Sequence, residues 1–282
     1  MNWVWRSIKG ILITAVLFFF LFPVYWLVTT AFKKSEAWFS WPPSLVVFQP
    51  TWENFLGSEG EFFGSTTTAI ATITPYLRNS IAVALCVALF STVIAACASY
   101  AISRFRVGGM GFVSWIISIR MLPPIASALP LYVVFSRLRL VNTWWALIAA
   151  HLVFTIPFSV WILLTFFNEI PRELDEAAYV DGANTWQTFR RVVLPLSVPG
   201  LAAVATLAFI QSWGEFLMAL VLTTGKEAQT LPIYLGRFIT GWRIAWGPLA
   251  AAGLVTMIPV ILFSLLMQRY LLRGLTFGAV KG

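Results

Sequence analysis

The chain has 282 residues, 59% of them hydrophobic and 11% charged, with a formal net charge of +8, and its mean hydropathy is +0.83. Such values lie outside the range of soluble globular domains, so the bilayer is the expected solvent. The Lys and Arg residues are scattered between apolar runs and form no basic stripe, which argues against a nucleic-acid partner and for topology signals beside membrane spans.

From Ile11 to Phe32 no residue is charged, a run longer than a signal peptide's apolar core, and no small-residue cleavage site precedes Lys33 and Lys34. This reads as a retained first span. Similar runs at about 77–103, 111–135, 144–167, 199–224 and 246–272 each approach the roughly 20 residues that a bilayer demands. The expectation is a single all-α integral membrane domain over residues 1–282 with six spans.

An even number of spans places both termini on one side, shared by Arg6, Lys9, Arg104, Arg106, Arg172, Arg190, Arg191, Arg269, Arg273 and Lys281. The other side collects Lys33, Lys34, Arg78, Arg137, Arg139, Lys226, Arg237 and Arg243. The modest bias makes the terminal side cytoplasmic, although Arg137 and Arg139 in a short outer loop oppose it. Trp38, Trp41, Trp144, Trp145, Trp242 and Trp246 fall at span ends on the outer side, where an amphipathic ring suits the headgroup layer. The outer loop 33–76 carries Pro42, Pro43, Pro50 and Pro75 as breakers and Glu36, Glu53, Glu59 and Glu61 as acids, with room for short interfacial helices. Two readings stay open for it: a surface that receives a soluble partner, and a plain connector.

Cys86 and Cys97 stand in the second span, separated by about 16 Å of helical rise, too far for a disulfide. With no other cysteine and one histidine, His151, neither redox chemistry nor zinc hydrolysis has support, and no metal site is expected. His151 reads as a hydrogen-bonded packing residue of the fourth span, because a proton relay needs titratable neighbours. Three further polar residues in spans stand out as candidates to line a wet cavity. Arg120 lies roughly 14 Å into the third, and Gln211 and Glu215 share a face of the fifth at helical spacing. They are the solute-path candidates, and an Arg120 facing a cavity favours an anionic sugar derivative. The alternative is structural: Arg120 and Glu215 pair with each other, or with carbonyls freed near Pro123, Pro124 and Pro130.

Residues 168–198 are too polar to face lipid. Pro171 suits a first helical position, Glu173, Asp175 and Glu176 complement a helix start, and Gly182 supplies a left-handed residue to end the first helix. Asn184 and Gln187 form a capping box for a second helix, which Pro195 is expected to stop after Leu194. On that helix Trp186, Phe189 and Val193 recur at helical spacing as an apolar ridge. Local physics leaves two occupants open for the ridge, a partner's groove and the chain's own span ends.

Glu176-Ala177-Ala178, Asp181-Gly182 and Leu194-Pro195 resemble the coupling loop of ABC importer permeases, whose pattern is Glu-Ala-Ala, a Gly four residues on, and a downstream Leu-Pro. The carboxyl terminus from Arg273, with Thr276, Gly278, Ala279, Val280, Lys281 and Gly282, resembles the tail of the maltose-type carbohydrate permeases, the shorter of their two partner subunits. Asn79-Ser80, Pro130-Leu131 and Trp213-Gly-Glu-Phe-Leu217 are similar to the same subfamily, and only Gly57 to Pro75 departs by its length. The resemblance implies a type I importer permease fold with a cytoplasmic coupling-helix loop. It also implies that Glu176, Ala177, Ala178, Asp181, Gly182, Trp186, Phe189, Leu194 and Pro195 meet an ATPase, which the tail 273–282 meets as well.

The implied assembly comprises a second homologous permease, two ATPase subunits and an extracytoplasmic solute-binding protein in a bacterial cytoplasmic membrane. The chain lacks a Gly-x-x-x-x-Gly-Lys-Ser/Thr phosphate loop, so ATP and magnesium belong to the ATPase and no cofactor is expected in this chain. The expected function is a permease for a sugar or sugar derivative. The alternatives are a permease for a polyol or glycerol phosphate and, from another class, an intramembrane enzyme. The sequence offers that enzyme neither a nucleophile with its base nor a metal set, so no catalytic residue is assigned.

Overall fold

The computed structural model describes residues 2–46, 49–56, 69–242 and 244–278. These are helical apart from turns and one antiparallel bridge between Ile239 and Ile244. In chain order the helices are α1 (Asn2–Phe32), α2 (Glu53–Leu56), α3 (Ala69–Phe105), α4 (Gly109–Ser118), α5 (Pro124–Arg137) and α6 (Trp144–Glu169). There follow α7 (Glu173–Val180), α8 (Thr185–Thr188), α9 (Leu194–Leu196), α10 (Val198–Trp213), α11 (Leu217–Leu222), α12 (Leu231–Gly236) and α13 (Trp246–Gly278).

Among the described residues, four helices are long and apolar enough to cross a membrane: Trp5–Phe32, Thr72–Phe105, Trp144–Glu169 and Trp246–Tyr270. Two bent pairs, Gly111–Met121 with Pro124–Arg137 at 92° and Thr185–Leu196 with Val198–Trp213 at 77°, raise the number to as many as six. The helices of the first two predicted spans, α1 and α3, begin earlier than predicted, and α3 starts inside the predicted outer loop. The predicted connector also holds α2 and a 3-10 turn at Ser35–Ala37, while residues 57–68 of the unusually long segment lie outside the described residues.

Two predicted spans are corrected. The third, 111–135, is two helices, because Leu122 precedes a proline and takes an extended backbone (ψ 123°) while Pro124 opens α5 in its first turn. A 3-10 turn, Ile119–Met121, carries the chain into the bend. The fifth, 199–224, breaks at Gly214 to Phe216, where Gly214 ends α10 and α11 restarts at Leu217. A carboxylate placed where helix N–H groups lack partners makes the restart favourable.

The chain divides into two compact units, Met1–Thr74 with Tyr234–Ile258 and Pro75–Ile233 with Pro259–Gly282. In the first, Ala31 of α1 packs on Ala250 and Ala251 of α13, with Leu27, Phe32, Phe55 and Leu254 around them. Asn54 donates to the carbonyls of Ala31 (2.9 Å) and Lys33 (2.8 Å) and so satisfies backbone groups that the end of α1 leaves open. Most of α1 presents large apolar side chains outward, Phe18, Phe19 and Phe20 among them, as a lipid or partner-helix surface requires.

Among the described residues, the second unit holds two apolar clusters. One joins Val83 and Val87 of α3, Ala128 and Phe135 of α5, Leu147 and Phe154 of α6, and Met218 and Leu222 of α11. The other joins Ala95, Tyr100 and Ile102 of α3, Leu163 and Phe167 of α6, Phe189 and Val193 of the polar loop, and Val204 of α10. Asn79 is fully buried and satisfied: it donates to the carbonyls of Lys226 (2.9 Å) and Gln229 (2.8 Å) and accepts from the Trp144 indole (3.1 Å). Ser80 beside it accepts from the Leu231 N–H at 2.8 Å. The Asn79-Ser80 pair thereby pins the segment after α11 to α3.

Candidate functional site

The polar loop folds as its local sequence dictates. Three acids occupy the first turn of α7, and Gly182 follows its C-cap with φ +82°. Ala183 N–H bonds the Ala178 carbonyl (2.9 Å) and Gly182 N–H bonds that of Tyr179 (3.0 Å), the paired closure of a Schellman motif. Asn184 and Gln187 then exchange hydrogen bonds of 2.9 Å each as the predicted capping box.

Pro195 does not stop the second helix, contrary to the sequence expectation. Residues Phe189–Val193 form a π-helical turn, the Leu194 N–H reaches back to the Phe189 carbonyl, and α9 follows with Pro195 in its first turn. The wider turn admits a residue that has no N–H to give to an α-helical ladder. Ser197, with φ −91° and ψ 4°, makes the actual corner into α10, and its hydroxyl donates to the Val193 carbonyl at 2.7 Å.

The predicted apolar ridge is divided. Val193 is fully buried and Phe189 is 3% exposed, its ring tilted at 37° against that of Tyr100 with centroids 4.8 Å apart. Phe189 therefore fixes the loop to α3 and does not project from it, whereas Trp186 is 61% exposed. Glu176, Ala177, Asp181, Gly182 and Pro195 are also exposed, Leu194 is half-buried and Ala178 is buried. The sequence reading missed Val180, 88% exposed at the end of α7. Its position beside the turn is the signal that points to it, since a β-branched apolar residue there gains nothing from the loop's own packing.

The anchor of the loop was missed as well. Arg104 at the end of α3 and Asp175 in α7 form a buried ion pair at 2.7 Å, their side chains 6% and 8% exposed. Arg104 also donates to the Ile170 carbonyl (3.1 Å), Arg172 donates to that of Ser103 (2.8 Å), and the Ser103 hydroxyl donates to Asn168 Oδ1 (2.6 Å). Burial pushes the Asp175 carboxyl above its ordinary value, with the Arg104 charge pulling the other way. The sequence assigned Asp175 only to helix-start electrostatics.

The solute-path candidates come together. Arg120 Nη1 donates to Gln211 Oε1 at 3.0 Å and to the Phe154 carbonyl at 3.1 Å, and its guanidinium lies 4.6 Å from the centroid of the Phe158 ring. Its carbonyl partner comes from α6, not from the turns near the prolines. Glu215 does not pair with Arg120. It accepts from the Met218 N–H (2.8 and 3.0 Å to its two oxygens) and the Ala219 N–H (3.2 Å), capping α11, and lies 3.3 Å from His151 Nε2. His151 Nδ1 meets the Ser212 hydroxyl at 2.7 Å. The packing role expected of His151 is thus joined by a titratable neighbour that sequence reading did not provide.

Thr276 and Gly278 of the tail fall in α13, where side chains are not described, and Ala279, Val280, Lys281 and Gly282 lie outside the described residues. Cys86 and Cys97 are both free thiols. No group of metal-binding side chains occurs among the described residues.

Residues 88–277 match the family described as binding-protein-dependent transport system inner membrane component. The chain is 36% identical to the trehalose/maltose transport system permease protein MalG of Thermococcus litoralis, over 93% of this chain and 92% of the relative. It is 35% identical to the diacetylchitobiose uptake system permease protein DasC of Streptomyces coelicolor, over 96% of each chain. The fold resembles a chain of a bacterial ABC transporter for the acidic polysaccharide alginate, with TM-score 0.75, 19% identity and coverage of 95% and 97%. It also resembles the MetNI methionine transporter, with TM-score 0.59, 20% identity and coverage of 72% and 95%. The chain belongs to the family of binding-protein-dependent transport system inner membrane components, the ABC importer permeases.

Proposed function

We propose that this chain is the permease subunit that moves a sugar or sugar derivative inward through an ABC importer, driven by ATP hydrolysis in separate subunits. The observation that carries this reading is the loop 173–196, which holds Glu176, Val180, Asp181 and Trp186 outward while Arg104, Asp175 and Phe189 root it in the body of the protein. A loop that is rigid at its base and apolar at its tip suits transmission of force from a partner. The family membership and the sugar-transport names of relatives support the rest.

In this reading the proposed ATPase-docking residues are Glu176, Ala177, Asp181, Gly182, Trp186, Leu194 and Pro195, with the buried Ala178 and Phe189 holding the base, and the tail 273–282 adds a second contact. One permease domain, 1–282, carries the solute path. The partners are a second permease, two ATPases that bind ATP and magnesium, and an extracytoplasmic solute-binding protein, and both termini face the cytoplasm. The test is copurification followed by reconstitution. The tagged chain brings down a second permease and an ATPase, and ATP hydrolysis in vesicles rises when the binding protein is loaded from a panel of trehalose, maltose, chitobiose and an acidic sugar. A chain that purifies alone, or hydrolysis indifferent to every loaded binding protein, refutes the reading.

A second reading concerns the solute. Arg120 is exposed in this chain, within a span, and among the described residues its Nε and Nη2 groups hold no hydrogen bond. A guanidinium there requires water or a polar partner, which favours an anionic sugar derivative. Unchanged uptake of an acidic sugar by an assembled Arg120→Gln complex counts against it.

A further inference from the structure

We infer that Arg120 and Gln211 form a latch joining the break in the third span to the break in the fifth, so that the two breaks rearrange together. The inference rests on the permease reading above and adds the residues that make two discontinuities act as one element.

Arg120 sits in the 3-10 turn Ile119–Met121 that ends the first half of the third span. Gln211 sits in the last turn of α10, just before the fifth span breaks at Gly214. Their hydrogen bond of 3.0 Å crosses directly from one break to the other. The same nitrogen of Arg120 holds the Phe154 carbonyl of α6 at 3.1 Å. Glu215, within the fifth break, approaches His151 at 3.3 Å, and His151 lies one turn before Phe154 on α6. A single turn of one unbroken helix therefore serves both breaks.

The choice of partners is informative. A carboxylate, Glu215, stands one turn from Gln211, yet it is committed to His151 and to the N–H groups of Met218 and Ala219. Arg120 is left with a neutral amide. An Arg–carboxylate pair in a span is strong and slow to exchange, whereas a guanidinium held by an amide and a carbonyl, over the Phe158 ring, has its charge uncompensated and releases more readily. His151 and Glu215 thus fix the restart of the fifth span, while Arg120 and Gln211 supply the releasable bond. Arg120 is a positioning residue in this scheme, acting through the breaks.

The test uses the full complex in vesicles, with ATP hydrolysis read in ATP and magnesium alone and again with the loaded binding protein, alongside solute moved per ATP. Arg120→Gln and Gln211→Ala each raise basal hydrolysis several-fold and lower the solute moved per ATP. Because both remove the Arg120–Gln211 bond, the double variant goes no further than Arg120→Gln alone. Gln211→Glu, which makes the exchangeable bond an ion pair, lowers stimulated hydrolysis below wild type. The exchange Arg120→Gln with Gln211→Arg restores the basal rate. Should Arg120→Gln fail to assemble, Arg120→Lys keeps the cation and gives an intermediate basal rate. Basal rates that stay at the wild-type level, a double variant that sums the single effects, or a Gln211→Glu complex faster than wild type each overturn the latch. A wild-type complex with no response to any binding protein instead overturns the permease reading.

Discussion

Removing the Asp175 carboxylate is the most informative perturbation of the loop, because the pair it forms with Arg104 is closed off from water on both sides, 6% and 8% exposed, at 2.7 Å. A surface ion pair contributes about 0–1 kcal/mol, but stranding one member of a buried pair costs about 3–5 kcal/mol. Arg104 retains the Ile170 carbonyl, which places the expected loss for Asp175→Ala near the lower end, about 3 kcal/mol. Burial has raised the Asp175 carboxyl above its ordinary value even with Arg104 and Arg172 beside it, so desolvation outweighs attraction. Consequently Arg104→Met with Asp175→Leu, an apolar pair of similar bulk, recovers most or all of the loss. The pH dependence has a definite sign. The native state binds this proton more tightly than the unfolded one, so the contribution of Asp175 to stability falls as pH rises from the ordinary carboxylate value through the raised one, then levels off. Unfolding of the purified complex followed by tryptophan fluorescence measures all three. An Asp175→Ala loss below about 1 kcal/mol, the range of an exposed pair, refutes the assignment of Arg104–Asp175 as the buried anchor.

Gly182→Val leaves the complex assembled but uncouples ATP hydrolysis from uptake: φ is +82° and no atom crowds an added Cβ, so the cost is backbone strain alone, about 1–2 kcal/mol. The check is transported solute per ATP beside an intact copurification profile. Trp186→Ala, at a position 61% exposed, changes the stability of the subunit by no more than about 0.5 kcal/mol yet weakens ATPase association by about 2 kcal/mol, or roughly thirtyfold; titration of the ATPase onto the permease pair in nanodiscs reads it. Asn79→Leu removes the donor to two carbonyls, while the Trp144 indole keeps the Glu227 carbonyl at 3.1 Å; at about 1–3 kcal/mol for each group left unsatisfied it lowers the thermal midpoint with no direct effect at the loop.

What the sequence revealed follows from the range of the forces involved. Gly182, Asn184 and Gln187 were readable because each acts on backbone within a few residues, through a left-handed turn or a cap. Apolar runs located the spans by the same logic, since a continuous helix needs only length and hydropathy. The break after Arg120 had a local sign in Pro123-Pro124, whose meaning was taken as a freed carbonyl and not as a bend of 92°. The break at Gly214 depends on Glu215 capping α11 and meeting His151, residues 64 positions apart in the chain. Phe189 shows the same limit: helical spacing identified an apolar face, but only the tertiary fold places Tyr100 against it. Arg104 read as a span-end charge and Asp175 as a helix-start acid, and their burial is a property of neither segment alone.

The polar loop and the two breaks share one physical support in α6. At one end of the relevant stretch, His151 and the Phe154 carbonyl hold the breaks in the fifth and third spans. At the other, Phe167 packs with Phe189 in the same apolar cluster and Asn168 accepts from Ser103 beside Arg104. From Phe154 to Asn168 the helix rises about 21 Å, and Leu163 and Phe167 along it are fully buried. A buried helix yields to a load by moving as a body rather than by bending freely. In the function proposed above, force applied at Trp186 and Val180 reaches α6 through Phe189 and the Arg104–Asp175 anchor. It reaches the Arg120–Gln211 bond through the Phe154 carbonyl, which shares the Arg120 nitrogen with Gln211, whereas Glu215, tied to His151, also satisfies two N–H groups of α11. The latch is thus where motion of α6 is most readily converted into a change at the solute path.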